Sequence, residues 1–302
     1  MKSKALAVII MAILILTSIN CSSVSQENPA AGVIINPVEN MYSGPDDELD
    51  VVSQALLGTS VKILQSQRDS RKQVWYEIET PDTYHGWVRG NALRLYRSDE
   101  KPYAAEGQVL EITSLIAYLY ETPDVTKKKP LLFAPISSVL ALEKFEGRWG
   151  EVLLPDGRKA FIQMGDGQVR EAPFKRQRLS PEEMVDLARR FLGLPYFWGG
   201  TSPLGLDCSG FVQLIYRLSG VEILRDADIQ FTSSGLLEVP RGQERTGDLV
   251  FFGRNRITHV GMMINDKEFI HATTYQKPVV QISNLYDEYW QNLYKGCRRP
   301  GD

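Results

Sequence analysis

The chain has 302 residues, enough for two or three domains, and 43% of them are hydrophobic, so a core can be buried and disorder is not the default. A formal net charge of -3 leaves no basic excess, and nucleic acid is excluded as an expected partner. Three cysteines, Cys21, Cys208 and Cys297, are too few for a disulfide scaffold and leave at least one thiol unpaired.

In chain order, "MKSK" supplies a short basic start, and "ALAVIIMAILILTSI" follows as an apolar run shorter than the ~20 residues of a spanning helix. Residues 1–26 are therefore expected to be an export leader, which places the mature protein in the periplasm or cell envelope. Cys21, in "TSINCSS", resembles the lipid-modified cysteine of bacterial lipoproteins, which implies membrane contact through an N-terminal anchor. The alternative is cleavage nearby, with Cys21 discarded or left free.

An internal repeat organises the next part. "WYEIETPD" from Trp75 and "WGEVLLPD" from Trp149 carry Trp, Glu, Pro and Asp at identical spacing, and "MYSGPD" at Met41 is echoed by "LYETPD" at Leu119. Short β-branched and aromatic runs broken by Gly, Pro and Asp predict two small all-β barrels, over 30–97 and 103–172. Both resemble bacterial SH3-like domains, with "RKAFI" of the second copy set against "HGWVR" of the first. The polar segment "EAPFKRQRLS" reads as a linker to a third unit, 178–302.

Ser180 opens "SPEEMVDLARRFLG" as an N-cap, with Pro at the first helical position, acidic residues in the first turn and Gly193 as terminator. A second helix is expected from about Cys208, capped by Asp207, with Phe211, Leu214, Ile215 and Leu218 on one face and Ser219 and Gly220 at its end. Cys208 then sits in the first turn, offset from the apolar stripe, where free backbone N–H groups favour a thiolate of lowered pKa. The competing reading is an inert buried cysteine.

A nucleophile needs a base, and the chain has three histidines. His85, beside "GWV", reads as a surface or domain-contact residue. His259 in "ITHVGMMI" and His271 in "EFIHATT" lie on two strand-like runs separated by "NDK". A two-residue loop would send the imidazoles to opposite faces, whereas a three-residue loop or a bulge puts them on one face. On one face, His259 can accept the Cys208 proton and His271 can orient it. A zinc site is the weaker use of these residues, because no CxxC, HxxxH or HExxH spacing occurs, and no metal or other cofactor is expected.

"DCSGFVQ", "GDLVFF", "ITHVGMMI" and "FIHATT" resemble, in order and spacing, the NlpC family of cell-wall cysteine peptidases. The resemblance implies a papain-like α+β hydrolase domain over roughly Ser180 to Pro300. It implies Cys208 as nucleophile, His259 as base, His271 as the third polar residue and Tyr196 as an oxyanion partner beside the Cys208 backbone N–H. Gly247 and Asp248 fall in the family's turn before a core strand.

The whole architecture is similar to the γ-D-glutamyl-L-diamino acid endopeptidases with two SH3-like domains, also called dipeptidyl-peptidase VI. That likeness implies a cleft closed at one end by the first barrel, and murein peptides with a free L-Ala amine as substrate. Asp207, Ser209, Asp226, Trp198 and Tyr84 then become substrate contacts, with Glu48 and Asp50 competing for an acidic role from the first barrel. Asp207 could equally only cap its helix, Asp226 only pair with Arg225, and Tyr84 be a loop aromatic. A wall-binding module without catalysis and an acyltransferase on the same scaffold are the alternatives, and a monomer is the expected state.

Overall fold

The computed structural model describes residues 30–233 and 235–301, so the leader and Cys21 lie outside the described residues. Seven antiparallel strands come first: β1 Ala31–Ile34, β2 Val38–Tyr42, β3 Val51–Leu56, β4 Ser60–Arg68, β5 Val74–Glu79, β6 His85–Arg89 and β7 Leu93–Leu95. Alternation decides their faces. In β4, Val61 and Ile63 point inward while Lys62 and Leu64 face water. Their sheet order is β3-β2-β6-β5-β4-β1-β7.

A second set follows as β8 Gly107–Ile112, β9 Ile116–Tyr120, β10 Leu132–Pro135, β11 Val139–Glu146, β12 Trp149–Leu153, β13 Lys159–Gln163 and β14 Gly167–Ala172. Its order, β10-β9-β13-β12-β11-β8-β14, reproduces the first strand for strand. The repeated Trp has the same partner in both copies: Tyr42 packs edge-on against Trp75 at 5.6 Å, and Tyr120 against Trp149 at 5.8 Å. The alignment of the copies shifts by one residue from that read in the sequence. Trp87 pairs with Tyr42 and Phe161 with Tyr120, so "KAFIQ" and not "RKAFI" stands opposite "HGWVR". Ladder register, which a gap-free reading of spacing does not see, sets the correspondence.

The linker is pinned, since Arg170 and Arg176 both reach the buried Glu111, at 3.1 and 2.5 Å. Helix α1, Pro181–Arg189, begins with the expected Ser180 cap, closed as a capping box by Glu183. It ends four residues before Gly193, because residues 190–192 bond back as a tighter turn. A two-strand hairpin, β15 Thr201–Ser202 and β16 Gly205–Leu206, then leads into α2, Cys208–Leu218.

The remaining elements are α3 Ala227–Ser233, β17 Leu237–Val239, β18 Leu249–Phe252, β19 His259–Met263, β20 Glu268–Thr273, β21 Val279–Asn284, α4 Glu288–Leu293 and β22 Tyr294–Arg299. The strands form an antiparallel sheet in the order β17-β22-β18-β19-β20-β21. Phe211, Leu214 and Ile215 of α2 pack on Phe251, Val260, Met262 and Ile270, and each such burial stabilises by roughly 1.5–3 kcal/mol. Ile136 of the second barrel is part of this same core. The chain is thus two SH3-like barrels followed by an α+β domain whose helix and central strands bring Cys208, His259 and His271 into one region.

Candidate active site

Asp207 caps α2 as the sequence predicts, accepting from Gly210 N at 2.7 Å. It does more than cap. Arg225, 2% exposed, grips both its oxygens at 3.0 and 2.6 Å, and Gly199 N donates to it at 2.9 Å. Arg225 also donates to Ser209 Oγ at 2.8 Å and to Ser53 Oγ of the first barrel at 3.2 Å. The alternative reading of Asp226, a simple pair with its neighbour Arg225, is not what the structure has: the Arg225 guanidinium turns to Asp207, which takes it with both oxygens.

Cys208 is 8% exposed and belongs to the apolar core rather than standing clear of it. Burial first, and then the Asp207 carboxylate, push its thiol up to about 12; backbone N–H groups of Val260 and Ser209 and the Arg225 charge oppose this incompletely. This reverses the lowered thiol pKa expected from the helix N-terminus, since desolvation outweighs the dipole. Val260 directly follows His259, so the start of β19 lies against the sulfur.

The two histidines do meet. Strand pairing sets Met262 opposite Ile270 and Met263 opposite Phe269, which leaves a three-residue loop, Asn265 to Lys267, and puts both imidazoles on one face. His259 Nε2 lies 2.7 Å from His271 Nδ1, and His271 Nε2 lies 3.0 Å from Ser283 Oγ. A His259 whose Nδ1 accepts a proton must carry hydrogen on Nε2, so it donates to His271, which in turn donates to Ser283. Burial holds His259 down to about 4 and, with His259 beside it, His271 well below the ordinary histidine value. At rest the site therefore holds a neutral thiol and a neutral imidazole, and the arrangement can make a thiolate by transferring the proton between them.

Residues the sequence reading missed complete this centre. Trp290 of α4 stacks on His259 at 5.3 Å and meets His271 edge-on at 4.9 Å. Gly261, directly between the imidazoles on β19, leaves room for them: a Cβ there would come within 2.5 Å of the Phe269 ring and 3.2 Å of His271. Ser283 carried no signal beyond its strand. The H-x-G spacing was the one available hint.

Tyr196 is held by a bond from its N–H to Pro278 O at 2.8 Å; burial, then the neighbouring Cys208 sulfur, raise its hydroxyl pKa. A groove of about 500 Å³ runs from Tyr196 past His259 to Trp290 and Tyr275. The first barrel also reaches this domain, by contacts outside that groove. Tyr84 Oη donates to Asp226, 3.3 Å from each carboxylate oxygen, and burial raises the Asp226 pKa, with Arg225 and Tyr84 pulling the other way. Gly199, at φ +77°, lies against the Val51 carbonyl, so Asp50 adjoins the loop carrying Trp198, which is 68% exposed. Glu48 is exposed nearby on the same connection. His85 is exposed and bonded to Glu79, away from this centre, and Cys297 is a buried free thiol.

The NlpC/P60 family matches residues 193–299, and the bacterial SH3 domain matches residues 37–94. A gamma-D-glutamyl-L-lysine dipeptidyl-peptidase of Bacillus cereus is 32% identical over 254 residues, spanning 82% of this chain and 74% of that protein. Dipeptidyl-peptidase 6 of Lysinibacillus sphaericus is 26% identical over 246 residues, covering 80% and 87% of the two chains. The crystal structure of an NlpC/P60 family protein from Bacillus cereus superposes with a TM-score of 0.77 at 26% identity, over 89% of this chain and 99% of that one. The likeness therefore runs through the barrels as well as the C-terminal domain.

Proposed function

The chain belongs to the NlpC/P60 family of cysteine peptidases, and on that premise we propose that it cleaves short murein peptides after an N-terminal L-Ala-γ-D-Glu unit. The bond broken is the amide between the D-Glu γ-carboxyl and the next L-diamino acid, diaminopimelate or lysine. The observation that carries this reading is the contact of the first barrel's Tyr84 with Asp226, which supports a cleft walled at one end, as release of a dipeptide requires. Asp226 and an acid of the connection holding Glu48 and Asp50 supply negative charge for a free L-Ala ammonium, while Asp207, neutralised by Arg225, holds that end of the site in place. Ser209 and Trp198 flank the same end.

In this reading the Cys208 proton passes to His259 Nδ1 as sulfur attacks the γ-carbonyl carbon. The oxyanion is held by the Cys208 backbone N–H and the Tyr196 hydroxyl. The imidazolium keeps its Nε2–H on His271 and gives its Nδ1 proton to the leaving amine, forming a thioester. Water then attacks, His259 takes its proton, and L-Ala-D-Glu leaves with the thiol restored.

Export to the envelope through residues 1–26 and acylation of Cys21 belong to the same proposal, as does a monomeric enzyme. Labelled palmitate entering the wild type but not Cys21→Ser would support the anchor, and no label in the wild type would remove it.

The test of the activity is mass spectrometry of L-Ala-γ-D-Glu-L-Lys and its diaminopimelate analogue after incubation with the leaderless protein. We expect L-Ala-D-Glu to be released, and release to vanish in Cys208→Ser and His259→Ala. Full turnover in either variant, or loss caused by a chelator rather than by thiol alkylation, would overturn the proposal.

A further inference from the structure

The proton relay ends on a neutral group. His259 bonds to His271, and His271 bonds to the Ser283 hydroxyl, so neither imidazole has a carboxylate among its hydrogen-bond partners in the described residues. Yet the proposed reaction requires His259, half-buried at the edge of the groove, to become an imidazolium against an apolar wall of Phe252, Phe269 and Trp290. On its apolar side that charge loses water, and a negative partner in contact would offset the loss. Asp207 acts on it only at a distance, and its oxygens are already taken by Arg225 and the backbone.

The face of Trp290 is the group that lies against the ring. Its indole is nearly parallel to His259, 24° between planes at a centroid distance of 5.3 Å, which presents the negative π face to the imidazole. It is 2% exposed and cannot turn away. Phe269 meets it edge-on at 5.3 Å, Tyr289 at 4.9 Å and Tyr275 at 5.3 Å. A leucine at this position would keep the site dry but would offer no such face.

We propose that Trp290 is a positioning residue for the base: it fixes the His259 ring plane between Cys208 and His271 and stabilises the imidazolium by a cation–π contact. The inference rests on the Cys208 and His259 roles proposed above. The titratable groups around His259 are Cys208 and Asp207 from α2, His271 from β20, Tyr196 from the preceding loop, and Tyr275 and Tyr289 behind the indole. Trp290 differs from all of these in being untitratable, so the pH dependence of its contact follows the charge on His259 alone.

The experiment places a trifluorinated tryptophan at position 290 alone, which drains the π face while nearly keeping its shape, and compares it with Trp290→Phe and Trp290→Leu. Loss of a desolvated cation–π contact predicts kcat lower by about tenfold in the fluorinated and Leu enzymes, KM within about twofold, and an intermediate Phe enzyme. The acid limb of kcat should move about one pH unit lower, because the charged form of the base loses its support. An unchanged fluorinated enzyme, or an acid limb that moves upward as it would if Trp290 only excluded water, would overturn the proposal. Alkylation of Cys208 by iodoacetamide gives the same ranking without substrate. A wild type inert toward murein peptides would count against the substrate reading alone, and the alkylation series then decides on Trp290.

Discussion

The two barrels share strand order and an edge-on Tyr–Trp pair, yet they meet the C-terminal domain by different chemistry. The first contributes polar side chains. Gln54 accepts from Thr201 N at 3.0 Å, Asp82 accepts from Gln213 of α2 at 2.9 Å, Ser53 accepts from Arg225, and Tyr84 donates to Asp226. The second contributes hydrophobic and backbone contacts, with Ile136 buried in the catalytic core and Thr113 O accepting from Arg190 at 2.7 Å. A duplicated fold thus meets the C-terminal domain in two ways: the first copy through Ser53 and Gln54 of β3 and the loop carrying Asp82 and Tyr84, the second through the connections that carry Thr113 and Ile136.

Substitutions should separate the two uses. The largest loss is expected from Arg225→Ala, which strands Asp207 as a buried charge and cuts the tie to Ser53: about 3–5 kcal/mol of stability in denaturant unfolding, with activity lost as the α2 cap loosens. Ile136→Ala should cost about 2–5 kcal/mol while leaving KM of the folded enzyme unchanged, the signature of a support. Tyr84→Phe should do the opposite. Its melting temperature should change little, whereas kcat/KM for a free-amine peptide should fall by about tenfold to a hundredfold, the loss of a hydrogen bond to a charged group.

Acidification has the smallest effect on this contrast, and the histidine pair of the C-terminal domain responds to it first. His259 and His271 are held below the ordinary histidine value of about 6.5, so between that pH and about 4 the unfolded chain binds more protons than the folded one. Stability present above pH 6.5 is lost as pH falls through that window. Melting curves from pH 7 to pH 4.5 should show a falling midpoint, and His271→Gln should flatten the fall.

Local signals were legible in the sequence: the Ser180 and Asp207 caps, the apolar stripe of α2 and the parity of the "NDK" loop are settled within a few residues. So was the duplication, through spacing. Contacts made across the chain were not. Arg225 finds Asp207 rather than adjacent Asp226 only once α2 and the segment before α3 are packed, and Trp290, Ser283 and Ile136 reach the centre from elements far apart in sequence. The thiol pKa was misread for a related reason: the helix terminus is local, whereas the desolvation that outweighs it comes from the assembled core.

The central claim, that the first barrel closes the cleft around a free amine, is tested most directly by kcat/KM for L-Ala-γ-D-Glu-L-Lys against its N-acetylated form. A wild type that cleaves the free-amine peptide at least a hundredfold better would agree with the closed end formed by Tyr84 and Asp226. Equal cleavage of both peptides would contradict it.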